Sequence, residues 1–165
     1  MSDKKYAVEI NDLAVEFRTD DGIVKALNGL DLKIEEGKTL GLVGETGAGK
    51  TTTGLAILRL VPSPPGVIVG GSIKLNGEDI FSKTEHEMQA LRGKAVSMIF
   101  QDPMTSLNPV MTVEEQIAEV IELHEDVNHK GAIEKAKEML EMVGIPGERG
   151  TEYPHQFSGG MKQRV

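Results

Sequence analysis

Apolar and polar residues alternate through residues 5–10 and 13–18, the two-residue period of strands with one face buried. Asp20-Asp21-Gly22 is a turn signal, and residues 23–27 follow as the returning strand of a hairpin. Residues 30–34 read as another strand, closed by Glu35-Glu36-Gly37, and Val67 to Leu75 as one more, closed by Asn76-Gly77. These pieces predict an antiparallel β layer. Lys38 to Val43 and Ala95 to Phe100 lack the alternation and read as short strands buried on both faces. Between the two, Thr51 to Leu60 reads as a helix. Thr84-x-x-Glu87 is a capping box opening a short helix to about Leu91.

After Gln101 the period lengthens to that of helices. Thr112-x-x-Glu115 is a second capping box, with Val113, Ile117, Val120, Ile121 and His124 on one face of the helix it opens. Residues 130–143 put Ile133, Ala136, Leu140 and Val143 on one stripe, and Gly144 is the stop signal. Glu114 and Glu115 fall in a first turn, where carboxylates suit the helix dipole.

The candidate chemistry lies where the strand from Lys38 meets the helix from Thr51. Residues 44–51 read Gly44-Glu45-Thr46-Gly47-Ala48-Gly49-Lys50-Thr51, a complete G-x-x-x-x-G-K-[ST] phosphate loop, and Thr52 continues it. The glycines allow positive φ and bring backbone N–H groups close to a phosphate. The helix start adds the positive end of its dipole. In such a loop Lys50 reaches the β- and γ-phosphates, and the Thr51 hydroxyl holds Mg²⁺. A second anion site is suggested by Ser158-Gly159-Gly160, a hydroxyl and two unobstructed N–H groups at a helix start.

Composition narrows the partners. The chain has 165 residues, no cysteine and a formal net charge of −8. There is no disulfide framework or cysteine metal site, and a general nucleic-acid surface, which would be basic, is not expected. No apolar run approaches the ~20 residues of a membrane span, and Met-Ser-Asp-Lys-Lys-Tyr has no secretory signal character. A cytoplasmic location is expected. His86, His124, His129 and His155 show no metal-ligand spacing and read as surface or capping residues.

Four motifs in order carry a family resemblance. Phe157-Ser158-Gly159-Gly160-Met161-Lys162-Gln163-Arg164 resembles the signature of ATP-binding-cassette (ABC) ATPases, whose first residue is usually Leu. Met98-Ile99-Phe100-Gln101-Asp102-Pro103 resembles that family's glutamine loop, and Phe17 stands where the family stacks an aromatic ring on adenine. With the phosphate loop, these cover most of the chain. From its position alone, Phe17 reads either as a core aromatic or as a base-stacking ring. Finer similarity, to the ATPase subunits of oligopeptide, dipeptide and nickel importers, rests on Ala26 to Leu30, Leu60 to Gly66, Phe100 to Pro109 and Tyr153 to Gly160.

The resemblance implies an α/β fold: a P-loop NTPase core of RecA-like type, incomplete, with an antiparallel β layer and a helical subdomain. Residues 1–100 would hold the β layer and phosphate-loop part, and residues 101–165 the glutamine loop, helical subdomain and signature. The implied function is ATP binding and hydrolysis coupled to import of peptides or nickel, with ATP and Mg²⁺ bound. Gly44, Glu45, Thr46, Gly47, Ala48, Gly49, Lys50, Thr51, Thr52 and Phe17 would bind the nucleotide. Lys50 and Gln101 would be catalytic, Thr51 and Gln101 would meet the metal, and Ser158, Gly159 and Gly160 would meet the γ-phosphate held by another subunit. Implied partners are a second ATPase subunit, identical or different, and transmembrane permease subunits, placing the protein on the inner face of the cell membrane. The family's Asp-ending strand, general-base Glu and switch His all follow the signature, so the chain is expected to be a fragment without ATP turnover of its own. The alternatives are a non-catalytic nucleotide-binding fragment and an ABC ATPase of a non-transport system.

Overall fold

A computed structural model of the chain describes residues 5–101 and 105–165, so expectations for Asp102, Pro103 and Met104 lie outside the described residues. The chain forms two compact units, residues 1–92 and 93–165.

The first unit is built on an antiparallel sheet. Strands β1 (Tyr6–Thr19), β2 (Gly22–Glu35), β3 (Gly66–Leu75) and β4 (Glu78–Asp79) are ordered β2-β1-β3-β4. Residues 5–10 and 13–18 are thus one strand, as are 23–27 and 30–34. The interruptions at 11–12 and 28–29 are bulges. Pairing of β1 with β2 shifts between Ile10 and Leu13 and again between Leu13 and Ala14, and pairing with β3 shifts between Asn11 and Ala14. Asp12, Gly29 and Gly71 take φ of 48°, 78° and 89° at this level. The Asp12 N–H donates to the Asp31 carboxylate at 2.8 Å. A Cβ on Gly71 would lie 2.4 Å from the Asp12 carbonyl oxygen, so only glycine fits there. Ile10, Leu13, Val15, Ile73 and Leu75 are buried on one face of the sheet.

Helix α1 (Lys50–Ile57) contributes the buried Ala56, and Leu58 beyond its end is also buried. Arg59 then turns the chain with φ 53°. Its guanidinium donates to the Ile80 and Lys83 carbonyls at 3.1 and 2.6 Å. Helix α2 (Glu85–Leu91) opens on the expected capping box, Thr84 with Glu87. Glu85 bridges Arg92 and Arg59 at 2.5 and 3.2 Å, and the Arg92 hydrogen bond holds its carboxyl below the usual range.

In the second unit, α3 (Val113–His124) opens on the Thr112–Glu115 capping box, and α4 (His129–Met142) on an Asn128 cap. Hydrogen bonds from Thr112 lower the Glu115 carboxyl below its ordinary value. The α3 stripe is rotated from the expected one. Ala118 is buried beside Ile121, whereas Val120 is 54% exposed, because close α3–α4 packing selects the smaller residue. On α4 the buried residues are Ala132, Ala136 and Leu140, and Val143 is the helix cap. Gly144 stops the helix with φ 73°. A second cluster joins Val113, Leu140, Ile145 and Phe157.

Two expected strands do not form. Residues 38–43 and 97–100 have no strand assignment, and among the described residues neither segment pairs in the sheet. A strand exists only through its ladder, and an apolar run without a neighbouring strand stays open. Val43 and Ile99 are 94% and 90% exposed.

Candidate functional site

The phosphate loop is built from backbone geometry. Gly47 and Gly49 take φ of 85° and 82°, the left-handed region that L side chains rarely enter. A Cβ on Gly47 would meet nothing within 4 Å, so the loop is open at that point. At Gly49 it would lie 2.6 Å from the Ala26 carbonyl oxygen and 2.7 Å from Leu27 Cδ2. Ala26 is the extra residue where β2 shifts register against β1, between Leu27 and Lys25. This bulge seats Gly49 against the sheet.

Gly49 is also the cap of α1. It offers no side-chain cap bond, and no acidic residue stands in the first turn. The other long helices differ: Thr84, Thr112 and Asn128 side chains accept from their helix N–H groups, and Glu87 and Glu115 complete capping boxes. Among the described residues no side chain caps the α1 N-terminus and no first-turn carboxylate opposes its dipole, the arrangement that receives an anion. Lys50 Nζ turns back to the carbonyls of Gly44 and Glu45 at 2.7 and 2.6 Å, holding its ammonium over the loop. Thr51 is exposed and Thr52 partly exposed in the same turn. Glycines, donors and one ammonium, with no acidic residue in the first turn of α1, fit a nucleotide phosphate chain, and the exposed Thr51 hydroxyl is a hard oxygen suited to Mg²⁺.

Thr53, one turn on, is buried. Its N–H and its hydroxyl both donate to the Gly49 carbonyl, at 2.8 and 2.9 Å. In the sequence Ala26 and Leu27 stand out only as part of the resemblance carried by Ala26 to Leu30, and Thr53 does not stand out. Thr53 carried a signal, since i,i+4 spacing puts its hydroxyl under Gly49, whereas Ala26 and Leu27 arrive from a distant strand.

Phe17 lies near the end of β1, paired with Val24 and Gly66, and is half-buried. A Cβ on Gly66 would come within 3.2 Å of its ring, so one edge of the ring rests on the chain at Gly66.

Gln101 and Ser158–Gly160 belong to the second unit. Gln101 is exposed in a bend. Ser158 caps the short helix α5 (Gly159–Lys162), its Oγ accepting from Met161 N–H at 3.4 Å, and Ser158, Gly159 and Gly160 are all exposed. The segment is anchored on both sides. Phe157 is buried in the Val113 cluster with the Arg149 guanidinium 5.2 Å from its ring centre. Arg149 forks onto Glu152 at 2.7 and 3.0 Å, which lowers the Glu152 carboxyl. Arg164 donates to the Val143 and Gly144 carbonyls at 2.7 and 3.2 Å.

The histidines are dispersed. His129 contacts Glu122 at 2.7 Å and His155 stacks on Tyr153. Among the described residues no group of three metal-ligating side chains occurs, and no helix is long and apolar enough to cross a membrane.

A phosphate loop on an uncapped helix beside an antiparallel sheet, with a helical unit carrying a Ser-Gly-Gly turn, is the plan of an ATP-binding cassette. The family model described as ABC transporter matches residues 27–165, and the chain belongs to this family. Among curated relatives it is 49% identical over 160 residues to the oligopeptide transport ATP-binding protein OppD of Bacillus subtilis, covering 96% of this chain and 45% of that protein. It is 47% identical to OppD of Salmonella typhimurium, covering 96% and 47% respectively. It is 41% identical to the dipeptide transport ATP-binding protein DppD of Bacillus subtilis, covering 96% and 48%. The chain thus spans about half the length of the curated relatives it matches. The fold is that of a solved ATP-binding cassette in a dimeric post-hydrolysis state bound to ADP and phosphate, with TM-score 0.77 and 21% identity over 95% of this chain and 66% of that one.

Proposed function

We propose that the protein binds Mg-ATP and serves as the ATP-hydrolysing subunit of a peptide importer. The observation that carries this is the acid-free, uncapped start of α1 behind Gly47 and Gly49, with the Lys50 ammonium held over it. The names of the oligopeptide and dipeptide transport relatives support peptides rather than nickel as the cargo.

In this reading Gly44 to Thr52 wrap the phosphates, Thr51 and Gln101 meet Mg²⁺, and Phe17 stacks on adenine. The exposed Ser158, Gly159 and Gly160 meet the γ-phosphate held by a second ATPase subunit. Gln101 and the segment after it couple the nucleotide to transmembrane subunits, on the inner face of the membrane.

Titration with a fluorescent ATP analogue tests the nucleotide site. Lys50→Ala is expected to abolish binding. Phe17→Ala is expected to weaken it by about 1–3 kcal/mol, the usual worth of base–aromatic stacking. Equal binding by wild type and Lys50→Ala would show the reading to be wrong.

A further inference from the structure

We infer that Thr53 is a positioning residue of the phosphate loop, acting through the Gly49 carbonyl. This rests on the nucleotide-binding reading above and deepens it. Two constraints meet at Gly49. From one side the β2 bulge presses on it, leaving no room for a Cβ beside Ala26 and Leu27. From the other, its carbonyl accepts both the Thr53 N–H at 2.8 Å and the Thr53 hydroxyl at 2.9 Å. A helix requires only the first of these bonds. The second is an addition that Thr supplies and Val, of the same shape, does not.

The loop ahead of Gly49 is exposed from Gly44 to Ala48. Its internal ties are the two Lys50 bonds and Ala48 N–H to the Glu45 carbonyl at 3.2 Å. Lys50 is also the group that must turn to an arriving phosphate. The Thr53 tie is independent of that movement, and it fixes the peptide plane from which the Lys50 N–H points. Thr53 is buried and its hydroxyl is spent on the Gly49 carbonyl, so its effect on binding passes through the backbone.

The test compares Thr53→Val, Thr53→Ser and Lys50→Ala in the full-length protein, measuring Mg-ATP affinity, thermal midpoint and the amide signals of Gly47, Gly49 and Lys50. Thr53→Val is expected to weaken Mg-ATP about three- to tenfold, the range of one net hydrogen bond, and to shift those amides. Thr53→Ser keeps the hydroxyl and is expected to retain wild-type affinity even where the lost methyl lowers the midpoint. Loss in Lys50→Ala with none in Thr53→Val overturns this inference and leaves the nucleotide site standing. Equal losses in the Val and Ser variants assign Thr53 to packing alone and overturn it too. Unchanged binding in Lys50→Ala takes down both readings.

Discussion

Alanine at Gly47 and at Gly49 would impose the same backbone strain and very different collisions. Both residues sit near φ +80°, where an L side chain costs roughly 1–2 kcal/mol. At Gly47 the new methyl meets open space, so strain is the whole cost. At Gly49 it would stand 2.6 Å from the Ala26 carbonyl oxygen. That atom is backbone within a paired strand and cannot rotate away. Forced repacking of this kind costs about 1–3 kcal/mol more. Gly49→Ala is therefore expected to destabilise the protein by about 2–5 kcal/mol and Gly47→Ala by about 1–2. With about 2–4 °C per kcal/mol for a domain of this size, the difference is about 2–12 °C in thermal midpoint. Mg-ATP affinity should fall in the same order, because displacing Gly49 moves the start of α1 and Lys50 with it. Thermal denaturation of the two variants, each with a Mg-ATP titration, decides the matter. Equal midpoints would mean that the β2 bulge does not hold the loop.

Other outcomes follow from the same geometry. Phe157→Ala removes a buried ring packed on Val113, Leu140 and Ile145 and should cost about 3–5 kcal/mol, read by denaturant unfolding. The Thr112 bonds depress the Glu115 carboxyl, so its contribution is complete above the unfolded value of about 4.3 and fades as pH falls through the lower folded value. Glu115→Ala should accordingly destabilise the protein at pH 7 and matter progressively less below pH about 4, measured by helical circular dichroism. Leu40, Leu42, Val43, Ile99 and Phe100 are exposed, so the 165-residue polypeptide should bind an apolar dye or self-associate; a monodisperse, dye-silent monomer in light scattering would contradict this.

Signals confined to a few consecutive residues proved legible. Both Thr-x-x-Glu boxes open helices at the expected residue, since a cap is made by side chains three positions apart. The phosphate loop is local in part: Gly47 and Gly49 supply its positive φ, and Lys50 bonds back to Gly44 and Glu45. What failed depended on distant neighbours. Residues 38–43 and 95–100 have the composition of strands, but a ladder needs a partner that alternation cannot supply. Val120 and Ala118 fit the α3 pattern equally well, and only the approach of α4 chooses between them. The breaks at 11–12 and 28–29 resembled gaps between strands because a bulge disturbs the two-residue period as a loop does. Ala26 and Leu27, which hold Gly49 in place, carry no chemistry of their own to mark them.

The aligned bulges at Asp12, Gly29 and Gly71 act as a key for strand alignment. In–out alternation forbids a slip by one residue, since that would turn every buried side chain to water. A slip by two keeps each face intact, and hydrophobicity alone cannot reject it. It would, however, bring Ile73 or Val69 to the level where the Asp12 carbonyl leaves no space for a Cβ. The crease thus excludes the one misalignment that burial tolerates. Gly29, where a Cβ would lie 3.0 Å from the Asp12 carboxylate, marks the same level on β2, the strand whose Ala26 seats the phosphate loop.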